Sequence, residues 1–192
     1  MLTVISLIYE TFNPKVHDVR HVARLVYDVD YRTFDLFFKS DRQAIDAISK
    51  YLAKKEMNDY YKVILDDNND IVGYISIYLH DDNHKFYLKS LRLYLVDILD
   101  HFVLCDIKQG DLYLAEIAID ESQRGKGLGR KVMQDVLNYA KSKNYNRVIL
   151  DADFRNKGAK KLYESLGFKE FNKKRVKIGS FERGMYNMEF NL

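Results

Sequence analysis

The chain has 192 residues, of which 47% are apolar and 31% are charged, and its formal net charge at pH 7 is +3. This length predicts one compact domain over residues 1–192, and the composition excludes intrinsically disordered and membrane-embedded proteins. The charge is too slight to indicate a nucleic-acid partner.

Cysteine usage and the N-terminal segment bear on the compartment. Cys105 is the only cysteine, so no internal disulfide can form and a reducing compartment is the simplest setting. The N-terminus lacks a basic region followed by a small-residue cleavage site, and no apolar run approaches about 18 residues. The sequence therefore predicts a cytoplasmic protein, in which Cys105 is a buried and inert thiol.

The first half of the chain has the apolar spacing of one strand, two helices and a hairpin. Pro14 suits the first turn of the first helix, because its missing N–H would have no partner there. The turn-forming residues from Asp66 to Asp70 predict the tight connection of the hairpin. The predicted elements are a strand over residues 1–8, a helix from Pro14 through Val26, a helix from about Asp41 to Lys54, and strands over Tyr60 to Leu65 and Ile71 to Leu79.

The second half alternates strand and helix patterns and ends in another hairpin. Together the two halves predict an α/β (α+β) fold, with a mixed central sheet of about seven strands flanked by helices. The predicted elements are helical spacing over Phe86 to Asp100, a strand over Asp111 to Ile119, a helix from Leu128 through Ala140, a strand over Arg147 to Asp153, a helix over Lys157 to Ser165, and strands over Lys169 to Ile178 and Met185 to Phe190.

Three glycines lie at alternate positions between the fourth predicted strand and the next helix, in the run QRGKGLGR from Gln123 to Arg130. Glycine tolerates positive φ and lets backbone N–H groups approach an anion, and the following helix adds unpaired N–H groups. The spacing does not match a Walker A loop or a dinucleotide fingerprint. Taken alone, the run is compatible with an anion-binding loop and with a plain surface turn.

Two segments resemble motifs of the GNAT superfamily of N-acetyltransferases. The string R-x-x-G-x-G from Arg124 to Gly129 resembles the family's loop for the pyrophosphate of acyl-CoA. The segment from Asn156 to Phe168 resembles the family's N-x₆-Y-x₃-G-F signature, and its distance from the glycine run also suits the family. The resemblance implies a GNAT-like mixed sheet, and the helical insertion over Phe86 to Asp100, between the third and fourth strands, departs from it.

The resemblance implies acetyl-CoA as co-substrate and assigns its contacts to three segments. Backbone groups of the strand before the glycine run hold the pantetheine arm, N–H groups of the run hold the pyrophosphate, and Asn156 hydrogen-bonds the arm. The implied donor-binding residues are Ile117, Ala118, Ile119, Arg124, Gly125, Lys126, Gly127, Leu128, Gly129, Arg130, Asn156 and Tyr163. No metal is predicted, because a solvated turn is the better interpretation of the metal-ligand residue types at His80, Asp81, Asp82 and His84.

The chemistry of acyl transfer requires an acid and a base. The reaction needs an oriented thioester, a neutral amine and a proton for the departing thiolate. The resemblance places Tyr163 beside the thioester sulfur, where a neutral phenol can protonate the thiolate. The base that deprotonates the amine stays open among Glu116, Asp151 and a relay of ordered water.

The sequence thus predicts an N-acetyltransferase that moves an acetyl group from acetyl-CoA to a primary amine by direct attack. A non-catalytic acyl-CoA-binding or sensing module and a nucleotide-phosphate-binding protein are the alternatives. The sequence does not identify the acceptor, which can be a small molecule or a protein N-terminus or lysine. Dimers are common in the family, which leaves a homodimer open, and neither nucleic acid nor a membrane is expected as a partner.

Overall fold

The structure is a computed structural model that describes residues 6–54, 58–80, 92–93, 96, 98, 102–178 and 181–192. Its contacts divide the chain into two compact units. Unit 1 comprises Met1–Ile77 and Glu116–Gly129, and unit 2 comprises Tyr78–Ala115 and Arg130–Leu192. The single domain over residues 1–192 stays a prediction.

Seven strands, five helices and one short 3-10 turn have both of their bounds within the described residues. In chain order these are β1 Ile8–Thr11, α1 Val19–Val29, α2 Tyr31–Phe37, α3 Asp41–Leu52, β2 Tyr61–Leu65, β3 Ile71–Leu79, β4 Asp111–Ile119, the 3-10 turn Glu121–Gln123, α4 Leu128–Ser142, β5 Arg147–Asp153, α5 Lys157–Ser165, β6 Lys169–Ile178 and β7 Phe181–Asn191.

The strands form one mixed sheet in the order β1-β2-β3-β4-β5-β7-β6. Strands β1 and β2, and β2 and β3, pair antiparallel, whereas β4 and β5 pair parallel. Strand β7 pairs antiparallel with both β5 and β6. The predicted mixed sheet of about seven strands and both predicted hairpins are therefore confirmed.

Unit 1 starts with an edge strand and a helix whose bounds differ from the prediction. Strand β1 begins at Ile8, so the strand predicted over residues 1–8 is wrong in its bounds, and residues 1–5 lie outside the described part. Helix α1 begins at Val19, not at Pro14, because the Asp18 side chain accepts hydrogen bonds from the backbone N–H groups of Arg20 and His21. That N-cap satisfies donors that have no partner within the helix.

Helix α1 buries one face, and α3 packs against it. The buried face carries Val22, Ala23, Leu25 and Tyr27. The short helix α2 between them was not predicted, because it follows α1 after one residue and its N-cap, Asp30, makes no side-chain capping hydrogen bond. The β2–β3 turn matches the prediction, since the Asp66 carboxylate accepts from the N–H groups of Asn68 and Asp70.

In unit 2, one guanidinium joins three strands. Arg147 of β5 donates from Nε and Nη2 to the two oxygens of Asp111 in β4, at 2.7 and 2.9 Å. Its Nη1 donates to Glu189 of β7, and the side chain of Asp111 is only 3% exposed. These bidentate, charge-assisted hydrogen bonds compensate the burial of the charges.

The helix predicted over Phe86 to Asp100 lies mostly outside the described residues. The four residues of that segment that are described, Arg92, Leu93, Val96 and Ile98, are helical, and Val96 is buried. None of the helices in the described part of the chain combines the length and the apolar character needed to cross a membrane.

Candidate functional site

The glycine run forms a tight loop between β4 and α4. Asp120 follows β4 directly, and its side chain accepts from the backbone N–H of Ser122 at 2.9 Å and from the Ser122 hydroxyl at 2.6 Å. Gly125 and Gly127 have φ of 77° and 81°, a left-handed conformation that L side chains rarely adopt. The loop therefore requires glycine at these two positions, and the first turn of α4 begins immediately afterwards, at Leu128.

The third glycine of the run differs from the other two. Gly129 lies inside the first turn of α4 and is not among the glycines with positive φ. A Cβ built on Gly125 or Gly127 would meet no atom within 4 Å, so both positions open onto free space. An extended anion can therefore approach the backbone there, next to helical N–H groups that have no partner within the helix.

The cations of the loop have partners within the protein. Arg124 donates from Nε to the carbonyl of Ile119 at 3.3 Å, and its Nη2 lies 3.8 Å from a carboxylate oxygen of Asp28 in α1. Lys126 donates to the side chain of Gln123 at 2.9 Å. Both side chains are exposed, so incoming phosphates would compete with weak surface contacts.

The segment predicted to hold the pantetheine arm is the end of β4, Ile117–Ile119. Strand β3 approaches it closely, because a Cβ on Gly73 would lie 2.6 Å from the carbonyl oxygen of Ala118. The described pairing of β4 with β5 ends at Leu114, opposite Leu150. That pairing therefore does not use the backbone groups of Ile117–Ile119.

Glu116 precedes this segment on β4 and lies among buried polar groups of unit 1. The hydroxyl of Ser76, which is fully buried, donates to Glu116 Oε2 at 3.0 Å. Burial, and secondly the charge of Glu116, raises the pKa of the buried Tyr74 phenol well above its ordinary value. A carboxylate in such surroundings is chemically suited to accept a proton.

Asp151 of β5 is the centre of a different cluster, in unit 2. One carboxylate oxygen accepts from the backbone N–H of Cys105 at 3.1 Å and from the hydroxyl of Tyr113 at 2.9 Å. The other oxygen accepts from the side-chain amide of Asn187, which also donates to the carbonyl of Val103. Burial raises the pKa of Asp151, although these hydrogen bonds oppose the shift.

The prediction for Cys105 agrees with this environment. The thiol is 8% exposed, and burial raises its pKa, with the charge of Asp151 as the second cause. A buried neutral thiol is a poor nucleophile. Asp151 and its partners therefore tie the chain before β4 to strands β4, β5 and β7.

Asn156 and Tyr163 lie at the start and in the middle of α5. Asn156 is the N-cap, and its Oδ1 accepts from the backbone N–H of Ala159 at 3.0 Å. The cap does not use the Nδ2 donor, and the residue is exposed. Asn156 is thus able to stabilise the helix with one end of its amide and to donate to a ligand with the other.

Tyr163 is buried, with 6% of its surface exposed. Burial raises the pKa of its phenol to about 12, and no hydrogen bond or nearby charge among the described residues contributes to that shift. Gly167, at φ 101°, ends the helix, and the ring of Phe168 packs 6.0 Å from that of Tyr163. The G-F part of the motif thus holds the tyrosine in place.

Arg130 has a partner that the sequence did not predict. Its Nη2 donates to the hydroxyl of Ser165 at 2.6 Å, and this hydroxyl donates to the carbonyl of Leu162. The first turn of α4 is thereby connected to the last turn of α5.

The predicted site residues divide between the two compact units. Unit 1 holds Glu116, the Ile117–Ile119 segment and the loop through Gly129, whereas unit 2 holds Arg130, Asp151, Asn156 and Tyr163. Sequence reasoning missed Ser76, His21 and Asp28, which contact Glu116, Asp120 and Arg124. No short-range spacing could have found them, since His21 and Asp120 are 99 positions apart. Among the described residues, no three His, Cys, Asp or Glu side chains are grouped so that they could hold a metal, and the absence of a metal stays a prediction.

A family model described as "Acetyltransferase (GNAT) family" matches residues 26–168 of the chain. The chain therefore belongs to the GNAT acetyltransferase family, and the resemblance drawn from the two motifs is confirmed.

Curated relatives include N-acetyltransferase 8B of Homo sapiens, which is 27% identical over 122 residues, covering 62% of this chain and 53% of the relative. N-acetylaspartate synthetase of Rattus norvegicus is 30% identical over 109 residues, covering 52% of this chain and 36% of the relative. The chain spans about half the length of the first of these relatives and about a third of the second.

Solved structures share the fold at low sequence identity. A chimeric spermidine N-acetyltransferase from Vibrio cholerae superposes with a TM-score of 0.63 at 16% identity, over 96% of this chain and 95% of that chain. The ribosomal-protein-S18-alanine N-acetyltransferase from Escherichia coli superposes with a TM-score of 0.56 at 14% identity, over 97% and 94%.

Proposed function

We propose that the chain is an acetyl-CoA-dependent N-acetyltransferase, which transfers the acetyl group to a primary amine by direct attack. The glycine loop carries this proposal, because its two left-handed glycines open onto free space directly before a helix N-terminus. Membership of the GNAT family supports it, and so do the names of the matched proteins, which describe N-acetylation.

Donor binding is proposed to use the loop, the end of β4 and the start of α5. Backbone N–H groups from Arg124 through Gly129 would hold the pyrophosphate, with Arg130 at the helix start. Backbone groups of Ile117–Ile119 would hold the pantetheine arm, which is supported by the early end of the β4–β5 pairing. Asn156 would donate from Nδ2 to the same arm while its Oδ1 remains bound to the helix.

Tyr163 is proposed as the acid that protonates the departing thiolate. Its phenol is neutral throughout the physiological range, because burial raises its pKa to about 12. A neutral phenol beside a bound thioester would be able to donate its proton to the departing sulfur. No covalent bond between the acyl group and the enzyme is needed in this scheme.

Glu116 is proposed as the group that accepts the proton of the amine, directly or through ordered water. Asp151 is the weaker candidate, because three donors of the protein already hold its two oxygens. We propose that Asp151 stabilises the structure of unit 2 through these hydrogen bonds and does not transfer a proton.

The test is a screen of amines with acetyl-CoA, in which the release of free thiol is measured. The panel includes polyamines, amino acids and peptides with varied N-termini, because the acceptor class is open. Thiol release that depends on one amine class supports the proposal. CoA binding without thiol release across the panel would favour the sensing module, and binding of ATP or NAD in preference to CoA would favour a nucleotide-binding protein.

We also propose a cytoplasmic location, which the single buried cysteine supports. The helical insertion over Phe86 to Asp100 is proposed on the four described residues of that segment, all of which are helical. A homodimer stays an expectation from the family resemblance, and sedimentation of the purified chain would measure it.

A further inference from the structure

A histidine of α1 contacts the residue with which the glycine loop begins. His21 Nε2 lies 2.8 Å from Asp120 Oδ2, and the two side chains are 32% and 27% exposed. Both residues belong to unit 1. Neither side chain has a role in the proposed chemistry, so the contact needs another explanation.

Asp120 organises the chain between β4 and the glycines. Its backbone N–H donates to the carbonyl of Val72 in β3 at 2.9 Å, and its own carbonyl accepts from the N–H of Gln123 at 2.9 Å. Its Oδ1 accepts two hydrogen bonds from Ser122, which leaves Oδ2 for His21. The hydrogen bond from the Ser122 hydroxyl, and after it the one from His21, hold the pKa of Asp120 below its usual value, although burial opposes the shift.

The same helix makes a second contact with the loop. Asp28 lies two turns beyond His21 on α1, and its carboxylate is 3.8 Å from the guanidinium of Arg124. Arg124 in turn donates to the carbonyl of Ile119, the last residue of β4. Two acid–base contacts therefore connect α1 to the loop, one on each side of the 3-10 turn.

A loop with two left-handed glycines loses much conformational freedom when it is fixed. If that freedom is lost only when the donor binds, the cost reduces affinity for the donor. A contact that orders the loop beforehand avoids the cost. Since Asp120 is fixed by β3 on its backbone and by α1 on its side chain, the geometry favours order before binding.

We propose that His21 is a positioning residue for donor binding, which fixes Asp120 and thereby the start of the glycine loop. The inference rests on the proposed function, since it takes the pyrophosphate of acetyl-CoA as the ligand of the loop. His21 acts through Asp120 and does not touch the donor.

The experiment measures CoA affinity by calorimetry and kcat by thiol release for the wild type and for His21→Ala. Loss of this partly exposed hydrogen bond should raise the Kd for CoA about fivefold. The kcat at saturating acetyl-CoA should not change, because Tyr163 and Glu116 are untouched. His21→Gln should recover part of the affinity, since its amide can donate to Asp120.

Arg20→Ala is the matched control. Arg20 is the neighbour of His21 on α1, and it pairs with Asp46 at the surface, away from the loop. Its removal should leave the Kd for CoA unchanged. Asp120→Asn is a second test that does not depend on the folding of His21→Ala. This variant keeps an oxygen for Ser122 and loses the charge that faces His21, so it should weaken CoA binding to a similar extent.

The outcomes separate the inference from the proposed function. Unchanged CoA affinity in His21→Ala and Asp120→Asn, with a wild type that binds CoA, would overturn the positioning role and leave the acetyltransferase standing. An equal loss of affinity in Arg20→Ala would also overturn it. A wild type that does not bind CoA would overturn both.

Discussion

Tyr163 is the residue on which the proposed acid catalysis depends. We expect Tyr163→Phe to lower kcat about 100-fold at neutral pH, because the thiolate loses its proton donor. The KM for acetyl-CoA should stay close to that of the wild type, since the ring and its packing on Phe168 are kept. Steady-state thiol release measures both constants, and Tyr139→Phe, at an exposed position of α4, is the control.

The raised pKa of Tyr163 also predicts how the reaction rate depends on pH. Its folded-state value of about 12 lies above the ordinary 10.0, so the phenol should cause no loss of rate below pH 10. The stabilisation that the Tyr163 phenol contributes is complete below its pKa in the unfolded state. It is lost as the pH rises through its pKa in the folded state. A falling limb at lower pH that disappears in Tyr163→Phe would contradict this assignment.

Glu116 is tested by removing its charge while its shape is kept. We expect Glu116→Gln to lower kcat about 100-fold at neutral pH with a near-normal KM for acetyl-CoA, because an amide cannot accept the amine proton. For Asp151→Asn, kcat per folded molecule should fall less than it does for Glu116→Gln. An unchanged rate in Glu116→Gln would remove this residue as the base.

Asp151 should make stability depend on pH. Because its folded-state pKa is raised above 3.8, the folded state binds more protons than the unfolded state between the two values. The stabilisation that Asp151 contributes is therefore complete below its pKa in the unfolded state. It is lost as the pH rises through its pKa in the folded state. The difference in unfolding free energy between wild type and Asp151→Asn, from urea titrations at pH 4 to about 7, should shrink as the pH rises. A difference that grows would show that the three donors outweigh burial.

At the scale of elements, the glycine loop is the most sensitive segment. We expect Gly127→Val to abolish CoA binding while the chain still folds, because valine is strained at φ 81° and its side chain fills the open space beside the backbone. Gly158→Ala in α5 is the control. A Cβ there meets only its neighbour Asn156 at 3.8 Å, so CoA affinity should be kept and helix stability should rise slightly. Undiminished affinity in Gly127→Val by calorimetry would refute the loop as the pyrophosphate site.

Most elements were predictable because their signals are local. The bounds of β5, α5 and β6 match the prediction, since each carries a clear period and is delimited by polar or glycine residues. The predicted start of helix α1 at Pro14 is too early, because Pro14 is a weaker signal for a helix start than the N-cap residue Asp18. Helix α2 was missed, because seven residues without a side-chain cap give almost no periodic signal.

The candidate site was predictable only in part, for a related reason. The loop and the Asn156 to Phe168 segment are contiguous motifs, so their residues can be recognised along the chain. The contacts of Glu116 with Ser76 and of His21 with Asp120 join residues that are 40 and 99 positions apart. Such contacts depend on the sheet order and on helix packing, which a single sequence does not specify.

For the whole molecule, donor binding should appear as added stability. A ligand that binds only the folded state at 100 times its Kd adds about 2.7 kcal/mol to the unfolding free energy. CoA should therefore raise the thermal midpoint, and this shift should vanish in Gly127→Val. ATP and NAD at the same concentration should produce no shift, since the loop spacing matches neither of their phosphate motifs. A larger shift with either nucleotide would favour the nucleotide-binding alternative.

The guanidinium of Arg147, which joins β4, β5 and β7, constrains how the residues at positions 111, 147 and 189 can change during evolution. Loss of Arg147 alone would leave the buried carboxylate of Asp111 without a counter-charge, whereas an all-apolar trio of similar volume would be tolerated. Replacing one of these three residues alone therefore destabilises the fold, whereas replacing all three with apolar residues does not. Among descendants of a common ancestor, positions 111, 147 and 189 should thus be inherited as one block or replaced as one block.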